Sequence, residues 1–475
     1  MNSDHAHPHD AAAVGFRSGS VVAGEVRVPG SKSVAQRLLA AAAVARGRTE
    51  LLDLPASEDV AGAVRCARAL GARFPSAARA DDPLAAGLFL SGGGGPMVGA
   101  APTPEEGPRP WARLDPGESG TSARLFTALA ALARPAGSGA EVVPSGTLTG
   151  RSSRPLLEAL GGAGAGVEHA GHPHGWPVLF TSVSPPAWLE LRHPVSSQEV
   201  SGLLLALSAH AGERRLRVLG PIPSRGYVEV TRQVIEVFGG AVRSEALLSD
   251  APEEAGLLFT VRGPLAGPKA PVRCERDASA AAVALAAGVV SGGHRVQVEG
   301  VGAASLQPDV AIVACLQAFG CSGAGTTDSR LVVSGAPSRG VNLDCGGFPD
   351  LAPVLAAVAA HVAIGGRGPS TLTGLGTLPG KESDRLAVLA RGLRAIGLSV
   401  QQGPASLEIS AVTGTRSREV EVLLDSSGDH RMVFFGALLS LFEPRVRVLD
   451  PGCVGKSWPG FWADLAAAGG TLSTS

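Results

Sequence analysis

The sequence predicts an α/β chain of two similar domains, each made of three βα repeats with helices buried inside and sheets outside. Three observations lead there. Six times a short polar knot stands immediately before an Ala/Leu-rich run, each run is followed by a β-like stretch, and in most repeats an amphipathic helix ending near a glycine comes next. The period is roughly 70 to 90 residues, the mark of an internal repeat. Runs as apolar as LLLALSA and AAVALAAGVV leave no polar face for water, so they belong inside the layers.

Taken in chain order, residues 1–19 read as a disordered tail; His5, His7 and His9 could chelate a metal ion, but the Pro, Asp and Ser around them favour the tail. The tail lacks the basic start and apolar stretch of a secretory signal. An opening strand, Ser20 to Val28, could serve either half and is grouped with the second. Ser31-Lys32-Ser33 with Arg37 opens LLAAAAVA, and RCARALGA follows; Arg79 to Arg113, with GGGGPMVG and APTPEEGPRP, is loop material. Glu118-Ser119-Gly120-Thr121 with Arg124 opens ARLFTALAAL, and Ser196-Ser197-Gln198 opens VSGLLLALSA; their second helices are LLEALGGA and QVIEVFGG. The Gly/Pro-rich GPLAGPKAPVRCERD closes the first set. Arg276-Asp277-Ala278-Ser279, Phe348-Pro349-Asp350 and Gly428-Asp429-His430-Arg431 then open the second set. The expected domains are 30–273, and 20–29 with 274–475.

Bulk composition excludes several functions. At 475 residues the chain exceeds one ordinary core. A formal net charge of −1 supplies no cation excess for a nucleic-acid backbone, and Tyr227, the one tyrosine, makes stacking platforms for bases improbable. No apolar run reaches the length of a membrane span. The six cysteines show no CxxC spacing and no scaffold density, which fits reduced thiols in the cytoplasm.

The chemistry is expected at the helix starts. A first helical turn presents unpaired N–H groups and partial positive charge, so a hydroxyl or cation there makes an anion site. Ser, Asp and Thr would stand at such points simply as caps. Capping does not explain why Lys32, Arg37, Arg124, Lys381, Arg385, Arg431 and Lys456 recur beside them. Several starts converging on one cleft would grip a substrate with more than one anionic group. In GKESDR, Lys381 and Arg385 are read as i,i+4 neighbours on one helix face, repelling each other unless an anion sits between them. Asp350 and Glu382 add material for general acid and base work. Lys32 and Ser33 lack the GxxxxGK[ST] frame of a nucleotide-binding loop.

The ordered series VPGSKSVAQR, ESGTSAR, SSQ, SRGYVEVT, DASAA, FPDLA, GKESDR, GDHRM and CVGKSWP resembles the EPSP synthase branch of the enolpyruvyl transferases, collinear from about Ser20 to Ala468. The resemblance implies two inside-out α/β domains joined by a two-stranded hinge and closing on substrate. It implies transfer of the enolpyruvyl group of phosphoenolpyruvate to the 5-hydroxyl of shikimate 3-phosphate, with no metal or cofactor, in a cytoplasmic monomer. Carried over by position, Ser196, Ser197, Gln198 and Ser224 would hold the 3-phosphate beside Tyr227, and Ser33 and Arg37 the ring carboxylate. Lys32, Gly120, Thr121, Arg124, Arg154, Gln198, Arg385, Arg431 and Lys456 would hold phosphoenolpyruvate, and Lys381 would bridge both. Asp350 is similar to the base at the 5-hydroxyl and Glu382 to the proton-shuttling acid, with Lys32 and His430 beside them. For the loop GTLTGRSSRP, Arg154 is the preferred match and Arg151 the alternative. The chain departs from the pattern where Glu118 and Thr377 replace Asn and where Pro459-Gly460 replaces Pro-Asp. Rival readings are the transferase acting on UDP-N-acetylglucosamine, a paralogue with another cyclic acceptor, and a silent homologue.

Overall fold

Five of the six polar knots fold as helix caps. Ser31, Ser119, Ser196, Asp277 and Asp429 each accept a backbone N–H from the first turn of the helix they precede. The sixth differs: Asp350 sits in a 3-10 turn, Pro349–Leu351, that runs straight into a helix without a side-chain cap. This computed structural model describes residues 13–74, 88–92, 111–171, 175–249, 251, 254–412 and 420–474.

The helices alternate between buried and amphipathic along the chain. In order they are α1 (Lys32–Val44), α2 (Glu58–Ala69), α3 (Gly120–Leu132), α4 (Arg154–Gly162), α5 (Ser197–Ser208) and α6 (Gly226–Val237). Then come α7 (Ala278–Val290), α8 (Ile312–Ala318), α9 (Ala352–Ile364), α10 (Arg385–Ala395), α11 (His430–Ser440) and α12 (Phe461–Ala467). The odd-numbered helices are the Ala/Leu-rich runs, buried over nearly their whole length. Packing them all round requires small residues at the contacts: a Cβ on Gly202 of α5 would stand 2.8 Å from the Arg124 carbonyl of α3.

One sheet accompanies each repeat, and in three repeats all four strands come from one continuous stretch of chain. In the second, Trp111–Leu114 runs parallel to Gly139–Val142, which pairs antiparallel with Val178–Thr181, which pairs antiparallel with Gly166–His169. The same order recurs with Trp188–Arg192, Gly212–Leu219, Gly256–Gly263 and Ala241–Leu247. It recurs again with Asn342–Asp344, Ser370–Thr373, Leu407–Ser410 and Ser399–Gln402. Strand alternation keeps one face of these sheets on the helices and the other outward.

The chain divides into two compact units, Gly30–Glu275 and the stretch through Pro29 together with Arg276–Ser475, each with its own hydrophobic core. The strands next to the unit boundaries belong to a different unit from the helix that follows them. Gly24–Glu25, which precedes α1, pairs parallel with Val296–Glu299, whereas Val272–Arg273, which precedes α7, pairs parallel with Gly47–Leu52.

Two expectations need correction. The tail expected through residue 19 contains a strand, Ala13–Phe16, wholly buried between Val446–Leu449 and Leu472–Thr474. It is an inner strand of the four-stranded last sheet, and hydrophobic burial together with two antiparallel ladders fixes it. The three N-terminal histidines lie outside the described residues. The segment expected as loop from Arg79 to Arg113 carries one strand, Leu88–Gly92, and the start of another, Trp111–Leu114; its residues 79–87 and 93–110 lie outside the described residues.

Phe16 is fully buried, with its ring 5.5 Å from that of Trp462. Phe16→Ala should lower stability by about 3–5 kcal/mol, the usual cost of emptying a buried aromatic site. A melting temperature unchanged in thermal denaturation would return this segment to the status of a dispensable tail.

Candidate active site

In the Gly30–Glu275 unit the starts of α1, α2, α3 and α5 are tied into one polar web. Lys32 Nζ pairs with Asp59 Oδ2 at 2.9 Å. Gln36, buried one turn into α1, donates to the Asp59 carbonyl at 3.2 Å, Ser119 Oγ at 2.6 Å and Ser122 Oγ at 3.1 Å. Gln198 bridges α5 and α3: its Nε2 donates to Thr121 Oγ1 at 2.8 Å, and its Oε1 accepts from Arg124 at 2.8 Å. Arg124 also donates to the Ser152 carbonyl, 2.9 Å away, which anchors the loop before α4.

That loop settles which of its arginines faces the web. Arg154 is more than half exposed and pairs with Glu158 one helical turn on. Arg151 instead turns inward: its Nη1 lies 3.5 Å from the position of a Cβ on Gly120, and its Nε and Nη1 are buried without a hydrogen-bond partner among the described residues. Of the two arginines the sequence offered, Arg151 and not the preferred Arg154 is the one that faces this web. Arg154 begins α4, where the helix direction carries its side chain outward.

Glu118 is accommodated by a glycine. Gly146 has φ +56°, and a Cβ there would overlap the Glu118 carboxyl, so the carboxyl occupies the space over the 3-10 turn Gly146–Gly150. Only glycine meets both requirements, left-handed backbone and vacant Cβ position.

Arg37 is 1% exposed and has no carboxylate partner among the described residues. It donates to Thr231 Oγ1 at 2.7 Å, the Ser33 carbonyl at 2.7 Å and Ser201 Oγ at 3.4 Å, and lies 5.7 Å from the centre of the Tyr227 ring. Burial lowers its guanidinium to about 10, with Tyr227 acting the other way. Ser197 is buried at the start of α5, and Ser224 holds φ 52° in the turn leading into α6.

In the other unit, charge converges on Asp350. Its Oδ1 accepts from Arg385 at 2.9 Å and lies 3.5 Å from Lys381 Nζ; its Oδ2 accepts from Arg431 at 3.1 Å, and Arg431 also donates to the Asp350 carbonyl at 3.1 Å. Burial opposes ionisation of Asp350, but Arg431, Lys381 and Arg385 outweigh it and hold the carboxyl well below the usual range. Arg385, 1% exposed, donates further to Asp429 Oδ2 at 2.8 Å, to Asp429 Oδ1 at 3.2 Å and to Glu382. Burial disfavours its charge, yet Asp429, Glu382 and Asp350 raise its basicity above that of free arginine. His430, 2% exposed, stands edge-on to Phe434, and Lys456 donates to the Gly428 carbonyl at 3.3 Å.

The i,i+4 reading of Lys381 and Arg385 does not survive. Pro379-Gly380 end a 3-10 turn, Lys381 is extended with ψ −157°, and α10 begins at Arg385 behind the Asp384 cap. The two cations meet at Asp350 Oδ1 by tertiary approach. Thr377 precedes that turn, with its Oγ1 buried and without a hydrogen-bond partner among the described residues.

Sequence reasoning passed over the counter-ions. Asp59, Asp429 and Asp309 were not singled out as site residues, although Asp429 stands in the N-cap position before an apolar run, which is a legible signal. Asp309, 1% exposed, accepts from Ser279 Oγ, which itself accepts from Arg431 at 3.3 Å. Burial first, and the charge of Asp350 second, push the Asp309 carboxyl up to about 7.

Over residues 16–465 the chain matches the family described as EPSP synthase (3-phosphoshikimate 1-carboxyvinyltransferase). It is 33% identical over 457 residues to the 3-phosphoshikimate 1-carboxyvinyltransferase of Thiobacillus denitrificans, spanning 94% of this chain and 97% of that one. It is 34% identical over 450 residues to the enzyme of the same name from Laribacter hongkongensis, spanning 94% and 96%. Among solved structures, the EPSP synthase of Acinetobacter baumannii superposes with a TM-score of 0.74 over 98% of this chain and 99% of that one, at 22% identity. The enolpyruvyl transferase NikO of Streptomyces tendae gives 0.69 over 98% of each chain, at 18% identity. These two likenesses show a shared fold.

Asp429→Asn should destabilise the protein by about 3–5 kcal/mol, because it leaves the buried Arg385 without its one fully buried counter-charge. A denaturation midpoint matching that of the unmodified protein would mean that Asp350 and Glu382 suffice. Asp309 yields a pH-dependent result of opposite sign. The unfolded chain gives up this proton near 3.8 and the folded protein only near 7, so stability falls as pH rises through that window and the full cost persists above it. Asp309→Asn should therefore leave the melting temperature unchanged below pH 3.8 and raise it above pH 7; an equal difference at every pH would contradict the assignment.

Proposed function

The chain belongs to the EPSP synthase family, and from that premise we propose a working 3-phosphoshikimate 1-carboxyvinyltransferase with its binding and proton-transfer duties divided between the two half-sites. The enzyme moves the enolpyruvyl group of phosphoenolpyruvate to the 5-hydroxyl of shikimate 3-phosphate and releases phosphate, in the shikimate pathway. The observation that carries this reading is the convergence of Lys381, Arg385 and Arg431 on the carboxylate of Asp350, with Glu382 on the same guanidinium.

Three cations around one carboxylate make a site that exchanges anions. Without substrate, Asp350 neutralises the cluster, and a carboxyl held so far below its usual range is a weak base. When Arg385 and Arg431 take the carboxylate of phosphoenolpyruvate, their charge on Asp350 is shared and its basicity rises. Asp350 then accepts the 5-hydroxyl proton as that oxygen bonds to C2, and Glu382, which takes up a proton when Arg385 turns to the ligand, delivers it to C3. The product is a tetrahedral ketal that still carries the phosphate. Loss of a proton from C3 and cleavage of the bond from C2 to the phosphate oxygen restore the vinyl group. Lys32, Arg124, Gln198, Arg151 and Lys456 hold the phosphate, with Gly120 and Thr121 at the start of α3 beside it. Ser196, Ser197, Gln198, Ser224 and Tyr227 hold the 3-phosphate side of the acceptor, and Ser33 and Arg37 its carboxylate. Fixed donors in a water-poor site stabilise the developing charge without reorganisation.

We further assign a cytoplasmic location, supported by six cysteines that are all free thiols, and a monomer on the strength of the sequence resemblance alone. No helix among the described residues is long and apolar enough to cross a membrane.

Purified protein given phosphoenolpyruvate should release phosphate only when shikimate 3-phosphate is also present. No release from folded protein that binds phosphoenolpyruvate would favour an acceptor other than shikimate 3-phosphate, a reading to which Thr377 and Glu118 lend support. Glu382→Gln should lower turnover about 10²- to 10⁴-fold with little change in KM, since it removes a proton donor and keeps the shape. Arg151→Ala should raise the KM for phosphoenolpyruvate by about tenfold or more, and Arg154→Ala should leave it unchanged; the reverse result would reinstate Arg154.

A further inference from the structure

The Asp350 network has a second layer. The Nη2 of Arg431 that donates to Asp350 Oδ2 also donates to Ser279 of α7, and behind Ser279 stands Asp309 in the turn that leads into α8. Arg431 donates to the Ser279 hydroxyl, and that hydroxyl donates to Asp309 Oδ2. A hydroxyl has one proton, so committing it to Asp309 turns a lone pair of the same oxygen toward Arg431. The other carboxyl oxygen, Oδ1, is buried and has no hydrogen-bond partner among the described residues, so nothing else there orients the group.

We propose that Asp309 is a positioning residue for the transferase reaction, holding Arg431 through the Ser279 hydroxyl while substrate displaces Asp350. The inference rests on the reading that Arg431 takes the carboxylate of phosphoenolpyruvate. At that moment the guanidinium exchanges its strongest partner, Asp350, for a ligand. A long side chain released from that carboxylate would recover rotamer freedom, and the binding step would then have to remove that freedom again. Ser279 is the contact that need not break. It belongs to α7 and not to the turn that carries Asp350, so motion of Asp350 leaves it in place.

The charges facing Asp309 are those of Asp350 from the turn before α9, Arg431 from α11, Asp277 from the cap of α7, and the Cys315 thiol from α8. Burial and the two aspartates favour the protonated acid, whereas Arg431 and Ser279 favour the carboxylate. The Asp309 carboxyl therefore changes state near neutral pH, and only its carboxylate form is committed to accepting from Ser279.

The test is steady-state kinetics on the full chain. Ser279→Ala and Asp309→Ala should each raise the KM for phosphoenolpyruvate about three- to tenfold, with turnover and the KM for shikimate 3-phosphate within about twofold. The double variant should show no further rise, because both changes cut the same link. Asp309→Asn keeps an oxygen acceptor and cannot ionise. It should restore the KM to within about twofold of the unmodified enzyme while removing the ionisation near pH 7 from kcat/KM for phosphoenolpyruvate. A KM for phosphoenolpyruvate unchanged in Ser279→Ala overturns the proposal even if Asp309→Ala does not fold, and additive effects in the double variant overturn it as well. Arg431→Lys separates this from the underlying reading. A large rise in KM there with none in Ser279→Ala sinks the relay alone, whereas no rise in Arg431→Lys sinks the role of Arg431 and the relay with it.

Discussion

The acid and base half of this protein depends on one buried guanidinium. Arg385 is 1% exposed, touches three carboxylates, and could not remain charged in that position without them. Asp429 fixes its Nε side and also caps α11, so the start of the helix that carries His430 and Arg431 is set by the same residue that neutralises Arg385. Asp350 and Glu382 take the remaining donors. The two groups assigned to proton transfer are thereby held on one rigid fork, and their separation follows from guanidinium geometry rather than from two independent loops.

The two half-sites solve the problem of empty anion sites differently. One stores its own anions around Arg385, Asp350 among them, and on the proposed reading substrate binding there is an exchange of carboxylates. The other relies on neutral oxygen. Arg37 is surrounded by hydroxyls, a carbonyl and an aromatic face, and the buried Nε and Nη1 of Arg151 have no hydrogen-bond partner among the described residues. Lys32, paired with Asp59, is an exception within that half. Exchange limits the free energy gained from a bound anion, whereas an arginine with only neutral partners leaves more of that attraction for the ligand. On the proposed assignment, the acceptor and the phosphate of the donor would have the stronger fixed grip, and the carboxylate of the donor the more adjustable one.

Much of this was legible in the sequence because the repeat is written twice, once in composition and once in capping residues. Ala/Leu runs with no polar face had to be inner helices, and the six knots marked their starts. What was not legible required a partner distant in the chain. Ala13–Phe16 has only four residues, and its neighbours come from the other end of the sequence. Lys381 and Arg385 were rightly associated, but through the wrong geometry, because Pro379-Gly380 delay the helix until Arg385. Arg154 preceded by two serines looks like a helix start and is one, which is why it points away from the web. Counter-ions such as Asp59 and Asp309 have no local pattern at all, since a buried carboxylate is chosen by the cation that tertiary structure brings to it.

The interleaving of the chain through its sheets also fixes an order of assembly. The Gly30–Glu275 unit is continuous, and every strand of its sheets has been made once Arg273 has left the ribosome. The other unit is different: Ala13–Phe16 is synthesised first and lies between two strands made near the end. At ~5–20 residues per second, it waits on the order of tens of seconds for Val446–Leu449 and Leu472–Thr474. During that interval an apolar strand with both edges open travels attached to a neighbour able to fold before it. The nascent chain, rather than the finished enzyme, is where this architecture is most exposed to aggregation and to chaperones.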